Sequence, residues 1–385
     1  MGTVRTIALL GGGQLGRMFI ENALRYDVIV HILDPDPECP CAALAHRFVV
    51  GDLSHAPTVM AFAKDADVVG IEIEHVSTEA LAALKVMGKV VIPDPEVLRT
   101  INDKGLQKEF YDAHGIPTSP YALVHGEENI LAQHAGLLPG FLKSRTGGYD
   151  GKGVMPFNDL SALADAFAGP CVLEMKADIA LELAVLVVRG PHGQQVVYDP
   201  VEMVFDARYN LVDHLRAPAR VPDTVLNDAR ELASQVAAAF GATGLYAVEL
   251  FLTKSGELLV NETAPRAHNS GHHTIEACPS SQFDQLLRLY MGWPLGDPTL
   301  REHAAMINLV GEEGKGRPEV LGLDEVLRLR GTFPHLYGKK ETRTGRKMGH
   351  VTVTAPDHAG LDRAIALTKT HCKVVPEAPV GKVPS

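Results

Sequence analysis

Residues 145–153 read Arg145-Thr-Gly-Gly-Tyr-Asp-Gly-Lys-Gly153, with Lys143 just upstream. Four glycines stand among two cations in this run. Glycine lets backbone N–H groups approach an anion closely, and lysine supplies charge. The run therefore reads as a loop that closes over phosphates. The pattern G-x-x-x-x-G-K-[ST] is absent, so it is not a P-loop. The plain alternative is a surface hairpin built from turn residues. An apolar segment ending at Phe141 and Leu142 leads into the loop, and 140–176 reads as strand, glycine loop, helix and strand.

Downstream, 247–252 and 258–262 read as two strands joined by a tight turn at Lys254-Ser-Gly256. Counting back from the turn brings Glu249 and Glu262 close together on one face. Paired carboxylates suit Mg²⁺, which takes one or two of them plus substrate phosphates. The alternative is a pair of exposed strand acids bridged by lysines. Thr263-Ala-Pro-Arg-Ala-His-Asn-Ser-Gly-His-His273 follows, dense in hydrogen-bonding groups. Arg266 offers a planar fork for a small anion, and His268 and Asn269 can orient one. Zinc on His268, His272 and His273 is disfavoured, because Pro265 and Gly271 make a helix there doubtful.

Upstream, the apolar strand 6–10 runs into Gly11-Gly-Gly-Gln-Leu-Gly16 and a helical pattern to about Leu24. Val28–Leu33 is a second strand, ending at Asp34. This matches the dinucleotide fingerprint and supports an NAD or FAD oxidoreductase as a rival. The motif alone says only that a helix N-terminus faces a polar group, and no nicotinamide chemistry follows in the chain. Strands at 68–73 and 89–92 with helices between imply a parallel sheet. A helix is expected from Asn102 or Asp103 to His114, strands at 181–188 and 195–201, and an Ala-rich helix at 224–240. The tail from about 295 reads as short strands and turns.

At 385 residues the chain exceeds one ordinary core, so two or three domains are expected. The net charge of −11, with no basic stripe, argues against nucleic acid as a partner. No apolar run approaches the roughly 20 residues of a membrane span. The start, Met-Gly-Thr-Val-Arg-Thr into Ile7-Ala-Leu-Leu10, lacks a signal-peptide core, so a cytoplasmic location is expected. The five cysteines show no framework spacing, Cys39 and Cys41 included, and read as reduced structural thiols.

Lys143, the loop 145–153, Glu174-Met-Lys-Ala177, Glu182, Glu249 and Asn261-Glu262 occur in an order that resembles the ATP-grasp superfamily. Gly11-Gly-Gly-Gln-Leu-Gly-Arg-Met18, the 145–153 loop, Asn261-Glu-Thr-Ala-Pro-Arg-Ala-His-Asn-Ser-Gly-His272 and Gly345-Arg-Lys-Met-Gly-His350 are similar, within it, to the N5-carboxyaminoimidazole ribonucleotide synthetase family of purine biosynthesis. The four motifs span residues 11–350. The resemblance implies an α/β protein, α+β in its central part. A Rossmann-like parallel-sheet domain (1–101) would precede a two-part ATP-grasp domain (102–294, lid about 115–178). A small β-rich C-terminal domain (295–385) would follow.

It further implies ATP-dependent carboxylation of 5-aminoimidazole ribonucleotide by bicarbonate, through carboxyphosphate, with release of ADP and phosphate. Lys104 and Lys143 would then contact the nucleotide. Gly148, Tyr149, Asp150, Gly151, Lys152, Gly153 and Val154 would form the phosphate lid. Glu174, Met175, Lys176 and Ala177 would meet the adenine edge and Glu182 the ribose. Glu249 and Glu262 would hold Mg²⁺, two ions in all, with Asn261 nearby. Gln14, Leu15 and Glu72 would meet the aminoimidazole ribonucleotide, and Lys339, Arg346 and Lys347 its 5′-phosphate. Tyr149, Arg266, His268 and Asn269 would shape the bicarbonate pocket, with His268 as proton acceptor or as a neutral orienting group. A homodimer is implied as well. The chain departs from the family at Phe205, where relatives often carry a nucleotide-binding histidine, and His214 is the candidate substitute. Other readings are a formate-using glycinamide ribonucleotide enzyme of the same superfamily and a non-catalytic nucleotide sensor.

Overall fold

The computed structural model describes residues 5–125, 133–147, 153–159, 167, 169–206, 208 and 211–377. Strand β1 (Thr6–Leu10) lies between β2 (Ile29–Asp34) and β4 (Val68–Ile71), all parallel. With β3 (Arg47–Val50) and β5 (Val90–Ile92) the order is β3-β2-β1-β4-β5. Alternate residues of β1 enter different cores, as a period of two dictates. Ile7 and Leu9 pack with Met18 and Phe19 of helix α1 (Gln14–Ala23), and with Phe283 and Leu286 of the helix Gln282–Met291. Ala8 and Leu10 pack with Phe62 of α2 (Ala56–Ala63) and Leu81 and Leu84 of α3 (Thr78–Val86). Both faces of the sheet are covered, hence the unbroken apolar strands. Edge strand β3 carries Arg47, half-buried Phe48 and Val49 and exposed Val50, so its sequence signal is weak.

After α4 (Pro95–Asn102), helix α5 (Lys104–Ala113) starts at Asp103, whose carboxylate accepts the N–H groups of Gly105 and Leu106. This is an N-cap of the expected kind. Strands β6 (Tyr121–His125), β7 (Gly140–Ser144), β8 (Val154–Phe157) and β9 (Pro170–Met175) form an antiparallel sheet in the order β6-β9-β7-β8.

A third sheet has nine strands. Strands β10 (Ile179–Arg189), β11 (Gln195–Val197), β12 (Val201–Asp206), β13 (Leu211–Ala217), β14 (Gly244–Thr253), β15 (Leu258–Ala264) and β16 (His303–Val310) belong to it, together with Thr332–Leu336 and Lys347–Ala355. The helix Asp223–Phe240 lays its Ala, Leu and Val face on β10 and β14, and Gly241 ends it at φ +68°.

Two expectations are corrected here. The strand read at 195–201 breaks at Tyr198-Asp-Pro200, because the Tyr198 hydroxyl donates to the Ser280 carbonyl and Pro200 brings no N–H to a ladder. Nor is the tail only short strands and turns, since it holds β16, the nine-residue strand Lys347–Ala355 and the helix His358–His371. Strand β16 pairs with β13, and Lys347–Ala355 pairs with β16, so the tail extends the central sheet. The helix His358–His371 packs over this extension through Leu361 and Ile365.

Candidate active site

Strands β14 and β15 form the hairpin foreseen, with Gly256 in the turn at φ +88°. Their register sets Glu249 directly opposite Glu262, next to a β-bulge. Lys104, on the first turn of α5, reaches Glu262 at 3.0 Å. That ammonium, despite the burial that opposes it, holds the Glu262 carboxyl down at about 2. Glu249 has no such partner. Burial, then the charges of Glu262 and Glu182, push its carboxyl up to about 8. Two facing carboxylates with split affinities for a proton leave Glu249 holding a proton near neutral pH, which a divalent cation binding this donor set would displace.

The antiparallel sheet of β6–β9 stands over this hairpin. Its Lys143 is 2.5 Å from Glu174 and 3.4 Å from the Asn261 amide oxygen. Glu174 is buried between Lys143 and Lys108, and those two lysines overcome burial to keep it ionised. Glu182, on β10 beside the hairpin, is held above the usual carboxylate range by burial, with Lys143 pulling it back. Met175 and Lys176 donate their N–H groups to the Pro120 and Pro139 carbonyls, and Ala177 is half-buried just beyond. Gly153 accepts from the Ser144 N–H, closing the base of the loop, and Val154 opens β8. Gly148, Tyr149, Asp150, Gly151 and Lys152 lie outside the described residues.

Beyond the hairpin, His268 approaches Glu249 with Nε2 at 3.5 Å. Its Nδ1 accepts the Ser270 N–H at 3.3 Å. Asn269 and Asn308 exchange side-chain amide hydrogen bonds at 3.0 and 3.1 Å. Arg266 meets Glu74 at 2.8 Å and so ties this segment to the end of the parallel sheet. The three histidine side chains of the segment diverge. His272 binds Gln282, and His273 Nδ1 lies against the Ser270 carbonyl. Among the described residues no group of three or more His, Cys, Asp or Glu side chains is arranged to hold a metal.

The first glycine loop is occupied by the protein itself. Glu72, at the end of β4, accepts the N–H groups of Gly13 (2.7 Å) and Leu15 (3.0 Å), and Asp34 accepts that of Gly12 (2.7 Å). A Cβ on Gly13 would stand 2.5 Å from Glu72 Oε1, so only glycine fits. A pyrophosphate would meet two carboxylates here, which removes the physical basis of the dinucleotide rival. Leu15 turns its side chain into the core. Gln14 points the other way, and its amide oxygen accepts from Lys339 Nζ at 2.7 Å. Lys339 also donates to the Lys347 carbonyl, and Arg346 to that of Glu341. Residues from opposite ends of the chain thus meet.

The comparisons with known proteins fit this arrangement. Three family models match in order: a ribonucleotide synthetase preATP-grasp domain over 4–102, an ATP-grasp domain over 109–283 and a phosphoribosylaminoimidazole carboxylase C-terminal domain over 304–364. N5-carboxyaminoimidazole ribonucleotide synthase of Brucella melitensis is 36% identical, over 91% of this chain and 96% of its own length. The chain belongs to the N5-carboxyaminoimidazole ribonucleotide synthase family. The crystal structure of the Thermotoga maritima synthetase matches with a TM-score of 0.88 at 39% identity, covering 97% of this chain and all of that one. An Aspergillus clavatus member of the family, in complex with ADP and 5-aminoimidazole ribonucleotide, matches at 0.87 and 34% identity over 96% of this chain and 99% of that one. Phosphoribosylaminoimidazole carboxylase of Ogataea methanolica is 37% identical over 94% of this chain, which spans 68% of that longer protein. The fold is therefore that of the ATP-grasp enzymes with a preATP-grasp domain, as expected. Among the described residues no helix is long and apolar enough to cross a membrane.

The family's histidine position needs a correction. The register pairs Glu182 with Met203, and Met203 with Leu215. His214, the neighbour of Leu215, therefore faces the other side of the sheet. It sits opposite Ile307, beside Asp213, and Asp213 is bound by Lys369 of the C-terminal helix. A β-bulge follows, between Val204 and Phe205, and sets Phe205 opposite Val212. His214 is thus no substitute for the missing histidine. Phe205 pairs with Val212, shares the face of Met203 and Glu182, and is 36% exposed.

Three residues that the sequence reading left unassigned pair with the candidate site residues or with the helix and strands that carry them. Arg145, read as a loop cation, instead forms a two-pronged pair with Asp103 at 2.7 and 2.8 Å. Lys108 lies one turn after Lys104, a helical spacing that pointed to it. Asn308 carries no local signal at all, because only the pairing of β13 with β16 brings it to Asn269.

Proposed function

We propose that this chain uses ATP and bicarbonate to carboxylate the exocyclic amine of 5-aminoimidazole ribonucleotide, releasing ADP and phosphate. The observation that carries the reading is the facing pair Glu249 and Glu262, with Lys104 on Glu262 and Lys143 on Asn261 beside it. A second cluster joins Gln14 to Lys339. The complex of an Aspergillus clavatus relative with ADP and the ribonucleotide supports the same pair of ligands here.

Bicarbonate is a poor electrophile, and transfer of the γ-phosphoryl group converts it to carboxyphosphate. Such transfer needs charge neutralisation and in-line positioning more than covalent help. Lys104 and Lys143 supply positive charge, and Asn261 bridges them to the carboxylates, accepting from Lys143 and donating to Glu249. Glu249 and Glu262 would hold Mg²⁺, which when bound neutralises phosphate oxygens. Lys339, with Arg346 and Lys347, binds the ribonucleotide's 5′-phosphate and presents the amine toward Arg266, His268 and Asn269. Because Nδ1 of His268 accepts the Ser270 N–H, its ring proton belongs on Nε2, toward Glu249. That tautomer supports an orienting, hydrogen-bond-donating role over that of proton acceptor. Loop 145–153 would keep water from carboxyphosphate. A homodimer is part of the proposal by family likeness alone.

The test is ADP release by purified protein with ATP, bicarbonate and the ribonucleotide varied singly. Turnover should require all three. Turnover with formate and glycinamide ribonucleotide in their place, or none with any set, overturns the reading.

A further inference from the structure

Lys108 is 4% exposed, and its Nζ is 2.8 Å from Glu174 Oε1. It also donates to Thr118 Oγ1, which in turn donates to the Val260 carbonyl. This ammonium is locked to α5, to the chain before β6 and to the hairpin strand β15. Lys143 approaches the other oxygen of the same carboxylate, Oε2, at 2.5 Å. That approach is a close ion contact, and among the described residues Oε2 accepts no other hydrogen bond. The Lys143 side chain is also the more open of the two, 16% exposed against 5%, and its Nζ already leans toward Asn261 in the cleft. One buried carboxylate therefore carries two ammonium groups, one fixed and one facing the nucleotide site.

A buried carboxylate cannot lose its sole counterion cheaply. If Lys143 were the only partner of Glu174, moving it to a phosphate would strand the carboxylate in the protein interior. We propose that Lys108 is a positioning residue: it neutralises Glu174 permanently and thereby releases Lys143 to the nucleotide phosphates. The proposal rests on reading this cleft as an ATP site. Lys108 touches neither nucleotide nor ribonucleotide. It acts on the strength with which Glu174 retains Lys143.

The experiment compares steady-state kinetics and calorimetric ATP binding for the wild type, K108M, E174Q and the double variant K108M/E174Q. In K108M the KM and Kd for ATP rise roughly tenfold, the size of one charge-assisted hydrogen bond. At saturating ATP, kcat and the KM for the ribonucleotide stay within about twofold. In K108M/E174Q the ATP constants return toward wild type, because no carboxylate remains to retain Lys143. Unchanged ATP affinity in K108M overturns the proposal, as does a rise that E174Q fails to relieve. If K108M does not fold, E174Q alone decides: an ATP affinity equal to or tighter than wild type supports the proposal, and a weaker one overturns it. Absence of ATP binding by the wild type overturns the nucleotide reading itself, a result distinct from all of these.

Discussion

Glu249→Gln removes a carboxyl that the apoprotein must protonate in order to bury at neutral pH. Burial and the facing Glu262 raise the Glu249 carboxyl from its ordinary 4.5 to about 8. A carboxyl whose folded pKa lies above its unfolded value binds its proton more tightly when folded. Its contribution to stability is therefore lost progressively as pH rises from 4.5 toward 8. Integrating that difference gives a cost of about 3 kcal/mol at pH 7 and under about 1 kcal/mol at pH 5. Glutamine keeps the size and the hydrogen bond from Asn261 while removing the repulsion. Metal-free E249Q should therefore melt above the wild type at pH 7, with the margin shrinking at pH 5. Mg²⁺ with a non-hydrolysable ATP analogue should reverse the order at pH 7, stabilising the wild type and not E249Q. Turnover should be lost. The assay is thermal unfolding in EDTA and in Mg²⁺ at both pH values. Equal destabilisation of E249Q at pH 5 and pH 7 would refute the argument that the pair stores repulsion for a cation.

Further outcomes follow from the other contacts. Asp103→Ala removes the cap of α5 and the partner of Arg145, and should cost about 1–2 kcal/mol in urea unfolding, with the KM for ATP raised because the strand carrying Lys143 loosens. A wild-type unfolding midpoint would contradict this. Lys339→Met should raise the KM for the ribonucleotide about tenfold and leave that for ATP unchanged, whereas a parallel rise in both would show general damage. His214→Ala should leave the ATP KM within about twofold, since His214 faces the C-terminal helix. Phe205→His should lower that KM by placing a donor on the face of Glu182, and a higher KM would place Phe205 itself against the nucleotide.

Much of the site was legible from local chemistry. The hairpin turn at Lys254-Ser-Gly256 fixes the count that brings Glu249 to Glu262, and the pairing register agrees. Asp103 before an amphipathic run announced α5. The tail, read as short strands and turns, holds two long strands, His303–Val310 and Lys347–Ala355, that give no local sign of which sheet they join. Asp34 illustrates the other failure. At the end of β2 it sits where a ribose-binding acid belongs, yet it folds back on Gly12, and the sequence holds no record of that turn.

By itself the chain determined its order of strands, glycine loops and paired acids, because turn residues, caps and alternation act over a few neighbours. Only the tertiary structure decided which charges share a partner. Lys108, Lys143 and Glu174 come from α5, β7 and β9, and Gln14 and Lys339 are 325 residues apart. Their meeting depends on burial and sheet register, which are sums over the whole fold.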